Sequence, residues 1–322
     1  MEWFDEGYYR IYGDLRRKDP ERYLAHQYLV DTIYDYDGKT GIGRETYEGC
    51  IDYPRLNLLT LKKAKQTPID IVICSVNENE PYFAKLKEFY PKAKFIRHVG
   101  NNLDVNIDES TYPNLLASAL APYNSFKGHK ILYRQEFDLN LFKYLPPTNF
   151  RNIYSFQNGL EFDERAWDKW IWFKRKLRDY SFKSFGVSND DGRIYPKREY
   201  IREMLNSSFI YQVKHHDGYS HVIHNAFCLG RPPIIYEEDY SDKIAGPLLK
   251  DEKTCLFIDD NIEAKIRKWS EPEKLREMSL NARERFLQVV NFDKEAEALK
   301  VFMEELAWIF LLTIITEVCG KA

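Results

Sequence analysis

Several features that would class this chain quickly are scarce or missing. Of its 322 residues only five are cysteines (Cys50, Cys74, Cys228, Cys255 and Cys319), and no two form a CxxC pair. Such an odd, scattered set is neither a disulfide framework nor a zinc ribbon. With no secretory leader in the opening residues, it points to a reducing, cytoplasmic setting. Long apolar runs are also absent. The longest, Leu306 to Thr316, is about eleven residues, whereas a membrane-spanning helix needs about 20. That run is apolar on all sides and has no basic face, so it reads as a buried terminal helix rather than one lying on a membrane surface. Positive charge is not in excess either. Lys and Arg number 47 against 50 Asp and Glu, for a net charge of −3, which excludes a globally basic nucleic-acid binder and leaves room only for a local patch. There is no internal repeat and no low-complexity segment.

What is present is ordinary for a folded protein. Hydrophobic residues make up 44% and charged residues 30%, and the length favours two domains of roughly 150 residues each. Tyrosine (23) and phenylalanine (20) are abundant; both sugars and bases stack on such rings, but most of them serve the core.

The first ~55 residues are irregular. Asp19-Pro20-Glu21 predicts a helix start, with a helix over Arg22 to Tyr34. Asp37 to Gly43 is a glycine-containing loop without the GxxxxGK[ST] spacing of a phosphate loop. Regular alternation begins later: a helix over Leu56 to Lys65, a strand over Ile69 to Ser75, a helix over Pro81 to Tyr90, and a strand over Ala93 to Gly100. Asn114 to Ala119 and His129 to Tyr133 continue the series. A second series has strands at Asn152 to Phe156, Ser181 to Val187, Phe209 to Val213, Pro233 to Tyr236 and Thr254 to Ile258. Helices are expected over Glu164 to Asp179, Lys197 to Leu205, Asn261 to Trp269, Pro272 to Gln288 and Asp293 to Glu304. Strands alternating with helices of this length are βαβ units, so both sheets are expected to be parallel.

The most informative block is 211–236, YQVKHHDGYSHVIHNAFCLGRPPIIY. A strand-like run leads into Asp217-Gly218-Tyr219-Ser220, then a helix to about Leu229, a Gly-Arg-Pro-Pro stop and another apolar run. A turn that opens a helix at the carboxyl end of a parallel sheet presents unpaired N–H groups and the positive end of the helix dipole, which suit phosphate. The block resembles the donor-binding signature of GT-B glycosyltransferases, especially the retaining GT4-like families. Asp217 stands at the first acidic place and Asn225 at the second, with Ala226, Gly230, Arg231, Pro232 and Ile234 in register. It departs from the pattern in having Asp for Glu, Asn for Glu, and histidines at 221 and 224.

The resemblance implies a GT-B fold of two Rossmann-like domains, with parallel sheets facing a central cleft. An acceptor-side domain is expected over 1–150, a nucleotide-sugar domain over 151–305, and a C-terminal helix over 306–322 packing back on the first domain. It implies a glycosyltransferase that moves a sugar from a nucleotide-diphosphate donor, UDP-sugar foremost, to a hydroxyl acceptor with retention and without an obligatory metal or other cofactor. The acceptor class (glycan, small molecule or modified DNA) is left open. Asp217 is the expected catalytic carboxylate, which as Asp is also a favoured N-cap. His98, ending a strand, is the expected proton relay, because histidine ordinarily titrates near neutral pH. Gly218, Tyr219 and Ser220 are expected to offer backbone N–H groups to the diphosphate, and Asn225 to hold the ribose. The Arg and Lys that the family places after the first strand of this domain are absent. The stretch reads Tyr154-Ser155-Phe156-Gln157-Asn158-Gly159, which leaves Lys174, Arg175 and Lys214 as substitutes, the first two readable also as a solvated helix face. Arg134 and Glu136 are weaker candidates for a cleft loop. His215, His216, His221 and His224 are close in sequence, but without an HExxH or an acidic residue in the helix no metal site is expected. Two rival readings stand beside this one. One is a glycosyltransferase acting on modified DNA bases, drawing on the basic stretches 16–18, 62–65 and 174–176. The other is a degenerate GT-B protein that binds without catalysis.

Overall fold

The computed structural model describes residues 69–74, 86–102, 105–135, 137–186, 188–192, 194, 197–215 and 218–319, without the side chains of 197 and 307–319. The helices expected over 22–34 and 56–65, the loop 37–43, the basic stretches 16–18 and 62–65, and Glu136, His216 and Asp217 all lie outside these residues. So does the start of the helix expected over 81–90, of which 86–89 are helical.

Contacts divide the chain into two units, Met1–Val99 with Asp108–Leu116 and Gly100–Ile107 with Ala117–Ala322. Strands β1 (Ile71–Cys74), β2 (Lys94–Val99), β3 (Asn114–Ala117) and β4 (His129–Leu132) form a sheet in the order β1-β2-β3-β4, with α1 (Leu120–Ser125) between the last two. The β1–β2 pair is parallel, with Ile71 opposite Lys94 and Cys74 opposite Arg97. In the first unit Val72, Cys74, Ile96 and Leu115 are fully buried. β3 is buried throughout, as a strand covered on both faces requires, whereas β1 buries Val72 and Cys74 and leaves Ile73 exposed.

The second sheet holds β5 (Asn152–Ser155), β6 (Ser181–Ser184), β7 (Phe209–Tyr211), β8 (Pro233–Ile235) and β9 (Leu256–Phe257) in the order β6-β5-β7-β8-β9. Every pairing in it is parallel. Its helices are α2 (Glu164–Lys176), α3 (Lys197–Asn206), α4 (His221–Cys228), α5 (Ile262–Trp269), α6 (Pro272–Val289) and α7 (Phe292–Cys319). Because side chains alternate faces along a strand, neighbouring strand residues enter different cores. Ile153, Phe209, Tyr211 and Ile234 pack with Trp170 and Phe173 of α2 and Ile262 and Ile266 of α5. Tyr154, Ile210 and Ile235 pack with Ile223 and Phe227 of α4 and Phe286 of α6.

Two boundaries differ from expectation for local reasons. β6 stops at Ser184 rather than 187, because the Ser184 N–H donates to the Asp191 carboxylate at 2.7 Å and Gly186 turns at φ +142°. The C-terminal run does not form a separate helix. Residues 292–319 contain neither Gly nor Pro, and α7 runs unbroken from Phe292 to Cys319. Within the second unit α7 is tied to β4 and the residues after it. Arg134 pairs with Glu295 at 3.0 Å, and His129 stacks on Phe302 at 4.5 Å and meets Glu305 at 2.9 Å. Arg134 is therefore a structural tie between β4 and α7, which accounts for a residue expected in a cleft loop.

Arg231, at the end of the signature block, is 1% exposed. Its guanidinium donates to the carbonyls of Leu205 (2.8 Å), Leu145 (2.9 Å), Leu229 (3.0 Å) and Gly230 (3.2 Å). A planar fork of five donors suits such a set of carbonyls. Replacing Arg231 by Met is expected to lower unfolding stability by about 3 kcal/mol, because the buried carbonyls lose their donors. Urea unfolding followed by far-UV circular dichroism measures it; an unchanged midpoint would show that the carbonyls find other partners.

Candidate ligand site at the strand ends of the second sheet

Counted from β5, the second sheet has the order 2-1-3-4-5, and the direction in which successive strands are added reverses between β5 and β7, which run parallel. Ligands of open α/β sheets bind outside the carboxyl ends of strands at such a switch point. The residues leaving β5 are Ser155, Phe156 and Gln157; those leaving β7 are Gln212 and Val213. Ser155, Gln157 and Gln212 are 0%, 4% and 2% exposed. The Val213 N–H donates to Gln157 Oε1 at 3.0 Å, so a side-chain amide bridges the two strand ends. Ser155 Oγ and Gln212 Oε1 are buried without a hydrogen-bond partner. Two orphaned polar atoms at one switch point are uncommon in a folded interior, where such groups nearly always find partners.

The turn that opens α4 lies beyond β7. A Cβ built on Gly218 would fall 2.1 Å from the Gly100 carbonyl oxygen and 2.4 Å from Asn101 Cα, so only glycine fits there. Next to it the Tyr219 N–H donates to Gly100 O at 3.0 Å, and the Tyr219 hydroxyl donates to Gln135 O at 2.9 Å. The glycine thus serves a backbone-to-backbone approach, and the Tyr219 amide expected to face a diphosphate is spent on the protein. Ser220 follows at φ 64°, ψ 58°, a left-handed conformation costly for any residue but glycine. It occupies the N-cap position without a capping bond, and its Oγ is buried and unpartnered.

His224, one turn along α4, is fully buried, and its ring lies flat on Tyr219 with centroids 4.4 Å apart. Its Nδ1 is 3.1 Å from the Ser220 carbonyl oxygen, which can only accept, so Nδ1 carries the proton. Nε2 is left as a lone pair, buried and without a donor. Burial lowers this imidazole to about 3. Asn225, at the second acidic place of the signature, is 6% exposed and donates from Nδ2 to the Tyr200 hydroxyl of α3 at 3.3 Å.

The remaining candidates are placed as follows. His98 is the fifth residue of β2 and half-buried; burial, and then the charge of Arg97, lower its pKa to about 4. It is neutral at physiological pH and a weaker base than an ordinary histidine, contrary to the near-neutral titration expected of it. Lys174 sits in the last turn of α2, ten residues or about 15 Å of helix rise from its first residue, facing Asp190 at 3.8 Å. With Arg175 and Lys176 it complements the carboxyl end of the helix dipole. Lys214 follows β7 and is exposed.

One cluster had no counterpart in the sequence reading. Arg165, in the first turn of α2, pairs with Asp239 at 2.9 Å and Glu238 at 2.6 Å and lies over the Tyr236 ring. Asp239 is 1% exposed, with His215 at 3.5 Å, and its Oδ2 has no partner. Arg165 lies beyond the stretch 154–159 in which an arginine was expected, and its three partners follow it by about 70 residues, so no local pattern announces the cluster. Among the described residues no group of three or more His, Cys, Asp or Glu side chains converges to hold a metal. Among the same residues no helix is long and apolar enough to cross a membrane.

No protein-family model matches the chain, and no curated protein matches it in sequence. Solved structures do. TarM superposes with a TM-score of 0.56 at 13% identity, over 72% of this chain and 54% of that one. Sucrose-phosphate synthase from Thermosynechococcus elongatus gives 0.56 at 13%, covering 74% of each chain. Anabaena HepE, solved with UDP and glucose, gives 0.53 at 12%, over 76% of this chain and 80% of that one. The fold is GT-B. This GT-B chain spans little more than half the length of the TarM structure it matches.

Two outcomes follow from the site geometry. Gly218→Ala is expected to cost about 2 kcal/mol or more, since its methyl meets backbone that cannot rotate away; faster exchange of the Tyr219 amide would show that the bond to Gly100 had opened. The second outcome concerns acid. His98 and His224 titrate well below their unfolded value near 6.5, so between that value and their folded values the unfolded chain holds more protons. Their contribution is complete above about pH 6.5 and is lost as pH falls toward 4 and 3 respectively, at about 1.4 kcal/mol per pH unit for each group. Thermal melts from pH 7 to 4 should show this decline, with a shallower slope for His224→Leu.

Proposed function

We propose that this GT-B chain is a glycosyltransferase using a nucleotide-diphosphate sugar, UDP-sugar first, and a hydroxyl acceptor. The observation that carries the reading is the start of α4. A glycine turn and a left-handed residue open a helix just beyond the switch point of a parallel sheet. The first-turn amides, Val222 and Ile223 among them, precede the helix's first internal bond from His224 N to Ser220 O. Such amides and the positive end of the helix dipole favour a diphosphate. UDP and glucose in the HepE structure and UDP in a Staphylococcus aureus TarM complex support the choice of nucleotide.

In this reading Gly218 sets the approach of the turn, Ser220 and α4 face the phosphates, and Asn225, held by Tyr200, meets the ribose. Lys214 adds exposed positive charge beside the turn, in preference to the distant Lys174. Asp217 contacts the donor sugar near its reacting carbon, where a carboxylate stabilises developing positive charge. Transfer with retention follows from the family resemblance. His98, neutral, accepts a hydrogen bond from the acceptor hydroxyl rather than carrying charge. The division at 1–150, 151–305 and 306–322 is kept as the domain scheme, with the last segment as the end of α7.

Thermal-shift titration with UDP, GDP and ADP tests the donor site. A nucleotide at 100 times its dissociation constant adds about 2.7 kcal/mol, a clear rise in melting temperature for one base and not the others. Asp217→Ala is expected to abolish transfer while leaving that shift in place. Binding with no transfer to any hydroxyl acceptor in the wild type would favour a non-catalytic binder.

A further inference from the structure

Phe162 is 76% exposed, more than any other large hydrophobic side chain among the described residues; Leu145 follows at 54%. A lone exposed aromatic is ordinary on a loose loop, but the loop that carries this one is fixed at several points. It leaves the carboxyl end of β5 through a left-handed Gly159. Leu160 is buried, and its N–H donates to Asn189 Oδ1 at 3.0 Å. The same Asn189 side chain donates to the carbonyls of Gln157 (2.7 Å) and Phe185 (3.0 Å), which staples the loop after β5 to the loop after β6. On the far side Asp163 caps α2 by accepting from the Ala166 N–H at 3.1 Å. Between these anchors the Phe162 N–H donates to Gly159 O at 3.0 Å, and a Cβ built on Gly159 would lie 2.9 Å from the Phe162 ring. One edge of the ring therefore rests on a glycine that leaves room for it, while most of its surface stays open to solvent.

A fixed, solvent-facing ring at the carboxyl edge of a parallel sheet suits a partner with a flat apolar face, and the charge around it selects among such partners. Residues 157–164 and 188–192 carry Glu161, Asp163, Glu164, Asp190 and Asp191, and neither Lys nor Arg. Glu161, Glu164, Asp190 and Asp191 are exposed. Lys174, 3.8 Å from Asp190, offsets one of these charges in part. Carboxylates in this number repel the phosphates of a nucleic acid or of an anionic lipid surface. They accept hydrogen bonds from hydroxyls, which a pyranose offers around its rim, while its C–H face lies against the negative face of an aromatic ring. We infer that Phe162, with residues 157–163 and 188–192 around it, forms a subsite for a pyranose ring of a glycan acceptor. This deepens the proposed function, rests on that reading, and names the acceptor class: an uncharged glycan rather than modified DNA. The subsite is separate from the turn that opens α4, because every group in it belongs to the loops after β5 and β6.

Saturation-transfer NMR on the full chain tests this, with cellopentaose, maltopentaose and chitopentaose as glycan probes and a short oligothymidylate as the nucleic-acid probe. The wild type is expected to bind at least one of the glycans and not the oligothymidylate. Phe162→Ala should weaken that binding about tenfold, the worth of a good stacking contact. Phe162→Leu, apolar but without a flat face, should lose as much, and Phe162→Trp, with a wider face, should retain the binding. Because the ring is exposed, all three variants should keep a melting temperature close to that of the wild type, and the same shift with UDP. No glycan bound by the wild type, or binding that survives Phe162→Ala or Phe162→Leu, overturns the subsite. So does binding of the oligothymidylate that depends on Phe162. The two readings fail separately. No UDP shift in the wild type sinks the donor reading, while glycan stacking on Phe162 would stand as a carbohydrate-binding site. A UDP shift with no glycan bound sinks the subsite and leaves the donor reading in place.

Discussion

Arg231 holds the arrangement on which the candidate site depends. Its buried guanidinium binds carbonyls at 145, 205, 229 and 230, and so joins the end of α3, the segment before β5 and the turn from α4 into β8. The carboxyl end of α4 is pinned there, and its start is held as well. At that start Gly218 lets two backbones approach closely and Tyr219 bonds Gly100 and Gln135. α4 is therefore clamped at both ends, and the groups on its first turn are held rather than searching for position. Such preorganisation is what binding and electrostatic catalysis require of a scaffold.

The first turn is also where the chain departs from local preference. Neighbouring sites are conventional: Asp163 caps α2 by accepting from the Ala166 N–H, and buried Thr254 bonds Leu248 O. Among the described residues, Ser155, Gln212, Ser220 and His224, near the strand ends of one sheet, each carry an unpartnered buried atom, as do His129, Arg134, Trp170 and Asp239 elsewhere, and Ser220 shares its left-handed conformation with Ser188 and Glu252. Departures of this kind are expected at functional positions when the rest of the fold is locally consistent. The uncharged Gln157, in the stretch where an arginine was sought, fits the same picture, since it bonds Val213 and so orders the β5–β7 crevice.

Much of the fold was legible because its signals are local. The apolar runs at 152–155, 209–211 and 233–235 are short, bounded and buried on both faces, and the Gly-Arg-Pro-Pro stop ends α4 where it should. The unbroken α7 was missed because an apolar run reads as a new element, although no helix breaker separates it from Phe292. The site was less legible because its decisive contacts are between distant residues. Nothing in the sequence near Gly218 names Gly100 as its neighbour, and nothing near Arg134 names Glu295. The low basicity of His98 comes from burial and from Arg97 beside it, and a sequence shows only the ordinary value of an imidazole.

The bond from Tyr219 N to Gly100 O joins residues about 120 positions apart. A contact of that separation carries a large loop-closure cost and forms after local structure is in place. While the chain is being synthesised, the segment around Gly100 emerges well before its partner turn exists. The start of α4 therefore gains its final shape only after β7 and the turn have been made. The candidate site is therefore complete only once the chain through the start of α4 has been made, and a chain arrested before that turn has its first strands without it.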